Sequence, residues 1–174
     1  MAVPRDRSVA DIPVANTPPG GYGDTFPAPI LTGCTDALAA DAPDLRGVWR
    51  VVEVEAGGHV VTDHPALGHV QRVEQCGDRL VVTAGGIIHD MRCDGSIEHG
   101  VHDVAEFDKQ TPITVIASYE HGVHVLRPVG VPIEVTRHRD GADMIWNYLG
   151  FRARLRHIGP PDAEPPDSHT RLSA

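Results

Sequence analysis

The chain has 174 residues, 41% of them hydrophobic and 5% aromatic, which suits one domain with a sizeable core and is short for two. A formal charge of −9 argues against nucleic acid and anionic membrane surfaces as partners, because both reward clustered Lys and Arg. No stretch approaches the ~18 apolar residues of a membrane span, and residues 1–30 lack an apolar run of signal-peptide length. Cys34, Cys76 and Cys93 form no CxxC pair and leave one unmatched under any single disulfide, so reduced thiols in a soluble cytoplasmic protein are the expectation.

In chain order, residues 1–45 read as a Pro-rich arm, partly disordered or docked on the barrel formed by the later residues. Phe26, Ile30, Leu31 and Leu38 are its candidates for docking, and regular structure is not expected from Thr17 to Gly23. From Arg46 to Ile158 the chain alternates short β-rich runs with Gly-containing turns at Gly57-Gly58, Gly77-Asp78, Gly85-Gly86, Asp94-Gly95, His121-Gly122, Asp140-Gly141 and Leu149-Gly150. So many hairpins predict an all-β fold, an up-and-down antiparallel β-barrel of about 8–10 strands. Residues 159–174 read as a disordered tail. The arm and tail together carry 9 acidic against 3 basic residues, while residues 46–158 carry 15 against 12.

Turn chemistry also predicts register. A two-residue loop at Gly77-Asp78 sets Leu80 opposite Gln75 and Val82 opposite Val73, and one at Gly85-Gly86 sets Val82 opposite His89 and Leu80 opposite Met91. A three-residue loop at Cys93–Gly95 sets Met91 opposite Ile97 and His89 opposite His99. A two-residue loop at Asp94-Gly95 instead sets His99 opposite Asp90. The first set of registers puts His69, Gln71, Val73, Val82, His89, Met91 and His99 on an inward face. Arg72, Glu74, Thr83, Asp90 and Arg92 fall on the reverse, expected to meet water. The turn at Leu149-Gly150 aligns Trp146, Tyr148 and Phe151 on one inward aromatic face. The turn near His121-Gly122 places Val115, Ala117 and Tyr119 beside Val123, Val125 and Arg127. His102, His121 and His124 read as solvated.

The first strand opens Gly47-Val48-Trp49 and the last carries Arg152, Arg154 and Arg156. This resembles the lipocalin and wider calycin pattern, in which a Gly-x-Trp opens the barrel and an Arg of the last strand packs across the Trp face. The resemblance implies a structural Trp49–Arg156 contact at one barrel end. Intracellular fatty-acid-binding-type and haem-binding nitrobindin-type barrels are its nearer analogues. The run Arg50-Val51-Val52-Glu53 replaces the further glycines that the haem-binding group usually has.

The candidate ligand-binding residues are Gln71, His89, Met91, His99, Tyr119, Trp146 and Tyr148, with His89, His99 and Tyr119 the candidates for proton transfer. The leading expectation is a barrel that binds a small molecule in a partly polar lumen. The alternative is a cofactor-independent isomerase, cyclase or lyase, and haem or metal binding is third. No cofactor and no metal ligand set is expected. The expected partners are a small-molecule ligand or substrate and a second copy in a homodimer, with no nucleic acid and no membrane.

Overall fold

Runs of Val, Ile, Leu and Met cut by glycine turns form only strands, and the computed structural model, which describes residues 7–23 and 25–166, holds no helix among them. The strands are β1 (Gly47–Ala56), β2 (His59–Val61), β3 (Val70–Cys76), β4 (Arg79–Ala84), β5 (Ile87–Arg92), β6 (Val101–Val104), β7 (Pro112–Glu120), β8 (Val123–Pro128), β9 (Val135–Asp140), β10 (Asp143–Tyr148) and β11 (Phe151–Gly159). They form one antiparallel sheet in the order β5-β4-β3-β1-β11-β10-β9-β8-β7-β6, with the short β2 folded onto β1. First and last strands thus meet in the middle of the sheet, and the order is that of an up-and-down barrel. The barrel is nearly closed. Its seam lies between β5 and β6, where the His89 ring reaches Val104 O at 2.8 Å and Arg92 N donates to His99 O at 2.8 Å without a ladder.

The inward residues pack as one core that includes Trp49, Val51, Val73, Leu80, Val82, Met91, Ala117, Met144, Trp146 and Leu155. The two Gly-turn registers from β3 to β5 hold residue for residue: Val73 faces Val82, Gln75 faces Leu80, Val82 faces His89 and Leu80 faces Met91. Tyr148 faces Phe151 and Trp146 faces Ala153, as the Leu149-Gly150 turn predicts.

Several expectations are corrected. At His121-Gly122 the loop has two residues, so Tyr119 faces His124 and Ala117 faces Leu126. The inward set of β8 is therefore His124, Leu126 and Pro128, and His124 is fully buried instead of solvated. After β5 the chain makes no tight hairpin. Residues 93–100 loop out, and His99 is half-exposed on that loop, with Nδ1 2.5 Å from Asp94. Neither the His89–His99 nor the His99–Asp90 pairing forms. Trp49 is held by donation from Nε1 to Leu45 O at 2.8 Å, and the last-strand residue against its ring is His157, with centroids 5.0 Å apart. Arg156 is exposed, and the guanidinium over the indole is Arg139 of β9 at 5.4 Å. The opening glycine has its own reason: at φ 153° Gly47 leaves the His157 ring the space that a Cβ would occupy.

On the charged reverse face of β3–β5, Arg92 stays partly exposed, but Arg72, Glu74, Thr83 and Asp90 are buried instead of meeting water. Residues 7–23 and 25–36 lie across this face, burying Ile12 and Leu31 against Cys76, Val81 and Ile88. An irregular segment brings unpaired backbone groups with it, and the buried charges satisfy them. Glu74 accepts from Ile30 N and Leu31 N at 3.0 and 2.8 Å, and Asp90 accepts from Ala15 N at 2.9 Å. Arg79 donates to the carbonyls of Val9, Ile12 and Pro13, and Arg72 to that of Pro27. Near the seam Asn16 bridges to His89, Thr17 N donates to Asp103, and Tyr22 Oη donates to Ile87 O. A disulfide joins Cys34 of this segment to Cys76 of β3, so those two thiols are not reduced, and only Cys93 is free. The thiol argument for a reducing compartment falls with it. Among the described residues no helix is long and apolar enough to cross a membrane.

Candidate functional site

One end of the lumen is left unfilled. The core side chains nearest the disulfide end close the barrel, with Tyr119 and Gln75 tying residues 43–45 across it: Gln75 donates to Tyr119 Oη and Pro43 O, both at 2.9 Å, and accepts from Leu45 N at 2.6 Å. Towards the other end, Val82, Met91, Val101, Ile113, Val115, Leu126, Val131, Ile133 and Val135 surround a cavity of about 220 Å³. That is room for on the order of seven waters at liquid density, or one small organic molecule. Its polar contributors are His89, Glu106, Arg137 and Tyr148.

These four belong to a buried array on the inward faces of β3, β5, β9 and β10 and on the loop after β6. Glu106, 8% exposed, has Oε1 3.3 Å from His69 Nε2 and 3.4 Å from Gln71 Nε2. The Gln71 carbonyl oxygen in turn accepts from Arg137 Nε at 3.3 Å. The primary amide therefore stands between a carboxylate and a guanidinium that make no direct ion pair. Each keeps a free side: Glu106 Oε2 and both Arg137 Nη atoms have no hydrogen-bond partner among the described residues, and both residues line the cavity. Arg137 also stacks on Trp146, 5.1 Å from the ring, and His69 stacks on the same indole with centroids 5.7 Å apart.

Burial and neighbouring charges bias the titratable groups of the array. Burial opposes the charge on Glu106, but the His69 hydrogen bond and the charges of His69, Arg137 and His89 outweigh it and hold the carboxyl below its ordinary value. Burial lowers the Arg137 guanidinium against the opposing pull of the Glu106 charge, while burial and the Glu106 charge push the Tyr148 phenol up and keep it a donor. His89 Nε2 meets a carbonyl oxygen, so that nitrogen carries the proton, and in the neutral ring Nδ1 is the acceptor. Beneath the array His124 lies fully buried beside Arg137 with neither ring nitrogen partnered among the described residues. Burial and the Arg137 charge hold it neutral, well below the usual imidazole value.

Of the residues singled out from the sequence, His89, Met91 and Tyr148 line the cavity, Gln71 spaces the charges, and Trp146 forms the stacking base. His99 lies outside the barrel, and Tyr119 is structural at the closed end. Sequence reasoning missed Glu106 and Arg137. Arg137 was accessible to it, since the Gly141-Ala142 turn pairs Arg137 with Trp146 and so puts both on one face. Glu106 sits in an irregular loop, where no periodicity applies. A metal shared by His89 and His99 has no geometric basis, and the sole metal-like grouping among the described residues, Cys34, Asp36 and Cys76, contains the disulfide.

The architecture is compatible with a calycin-like barrel, while no protein-family model and no curated protein matches the chain.

Proposed function

We propose that the lumen takes up a small, largely apolar organic molecule and holds its polar group between Glu106 and Arg137. The observation that carries this reading is the Gln71 spacer, because opposite charges buried side by side gain most by collapsing into an ion pair. Keeping them apart leaves an acceptor and a fork of donors turned to an otherwise apolar space. A guest with a carbonyl, hydroxyl or amide group satisfies both, and its hydrocarbon body is received by Val115, Leu126 and Val135. The apolar lining extends to the exposed Val131 and Leu149 at the rim, which supports access from that end.

The test is native mass spectrometry of the purified protein for a retained small molecule, followed by ligand-observed NMR with small ketones, alcohols and amides. Val135→Trp, which fills the cavity, should abolish binding while preserving the melting transition. Undiminished binding by Val135→Trp rejects the lumen as the site. The second reading, a cofactor-independent isomerase, cyclase or lyase, draws support from an ionised carboxylate that lines the cavity with one oxygen unpartnered among the described residues.

A further inference from the structure

We infer that the lumen catalyses the shift of a double bond in an enolisable, β,γ-unsaturated carbonyl compound, with Glu106 as the proton carrier and Arg137 as the group that receives charge on the carbonyl oxygen. This rests on the reading that a small carbonyl compound occupies the cavity, and it adds a reaction to it.

The two oxygens of Glu106 have different surroundings. Oε1 is fixed by His69 and Gln71, whereas Oε2 is unpartnered among the described residues. A base anchored through one oxygen and open at the other keeps its position while it gains and returns a proton. Arg137 is likewise anchored through Nε and through its stack on Trp146, leaving both Nη groups to donate. Donors preset where negative charge develops stabilise an enolate more than the neutral ketone, and the apolar walls strengthen the interaction by excluding water. Gln71 touches both anchors without facing the reacting atoms as an acid or base, so it is a positioning residue.

The step balances without any co-reactant. Glu106 Oε2 takes a proton from the carbon between the carbonyl and the double bond. The C–H electron pair becomes a new carbon–carbon π bond, and the carbonyl π pair moves onto oxygen, where the Arg137 Nη groups hold it. The carbonyl then re-forms as the far end of the dienolate takes the proton back from Glu106. One proton has moved, the double bond is conjugated with the carbonyl, and nothing is oxidised or reduced. Tyr148, kept protonated on the cavity wall, is a second donor for the same oxygen.

The experiment uses the full chain with cyclohex-3-enone and short linear β,γ-unsaturated ketones, following the ultraviolet absorbance of the conjugated enone. Binding is followed separately by saturation-transfer NMR with cyclohex-2-enone, and folding by circular dichroism. Conversion above buffer is expected. Glu106→Gln keeps the acceptor for His69 and Gln71 and should bind the enone, yet lose roughly 10²–10⁴-fold in rate. Arg137→Lys keeps the charge but loses the fork, and should lose up to about 10²–10³-fold with binding retained. Gln71→Met should lower kcat more than it raises KM. Binding by the wild type without conversion, or a Glu106→Gln rate equal to wild type, overturns this inference and leaves the container reading intact. Failure of every ketone to bind overturns this inference, and failure of the alcohols and amides as well overturns both.

Discussion

Arg79 offers the sharpest test of how the N-terminal segment is held. Its guanidinium is 2% exposed and bidentate to Asp90 at 2.8 and 2.6 Å, and its remaining donors reach Val9 O, Ile12 O and Pro13 O at 3.0, 2.6 and 2.9 Å. Arg79→Met keeps much of the stem volume but leaves the Asp90 carboxylate buried without its cation. Breaking a buried pair from one side costs about 3–5 kcal/mol, and the three orphaned carbonyls add to this unless the segment lifts away into water. Lifting also forfeits the contacts of Ile12 with Val81 and Ile88. For a chain of this length each kcal/mol moves the melting temperature by about 2–4 °C, so the transition should fall by about 6–20 °C. Residues 7–20 should become open to protease while β3–β5 stay protected, because the Cys34–Cys76 disulfide still tethers the later part of the segment. Thermal denaturation and timed proteolysis with mass spectrometry measure both effects. A melting temperature within a degree of wild type, with cleavage no faster, would refute the claim that buried charges dock this segment.

Reducing the disulfide should lower stability by about 2–4 kcal/mol, since it closes a 42-residue separation, and urea unfolding with and without reductant measures it. His124→Leu should be neutral or stabilising, because both ring nitrogens are buried without partners among the described residues. Its folded-state value lies far below 6.5, so the unfolded chain binds the proton first as pH falls. The native state then loses stability below about pH 6.5, and the advantage of His124→Leu should widen between pH 7 and 5.5 in thermal melts. Glu106 is a depressed carboxyl. Its ionised form stabilises the fold fully above the unfolded value of 4.5, and that contribution is lost as pH falls through the lower folded value. The stability gap between wild type and Glu106→Gln should therefore be flat above pH 5 and close towards pH 3 in urea titrations. His89→Phe should weaken guest binding in NMR titrations, whereas His99→Ala on the outer loop should leave it unchanged.

What the sequence determined by itself is local. Paired turn glycines at positive φ, such as Gly85 and Gly86, fix a two-residue loop, and the period of two then assigns every residue from Val73 to Met91 to a face. The same rule aligns Trp146, Tyr148 and Phe151 and brings Gln71 and His89 to the lumen. Tertiary structure decided whatever depends on groups distant in the chain. Whether a charged strand face meets water depends on what lies over it, and here Arg72, Glu74, Arg79 and Asp90 serve an irregular segment whose backbone needs partners. The loop after β5 broke the hairpin rule because residues 93–100 pair elsewhere, with Gly95 N on Ala117 O and Arg92 N on His99 O, which carries His99 out of the barrel. The site itself is a juxtaposition of β3, β9 and an irregular loop. Gln71, Arg137 and Glu106 are separated by up to 66 residues, and no periodicity within any one of those segments encodes that one amide will hold the other two apart.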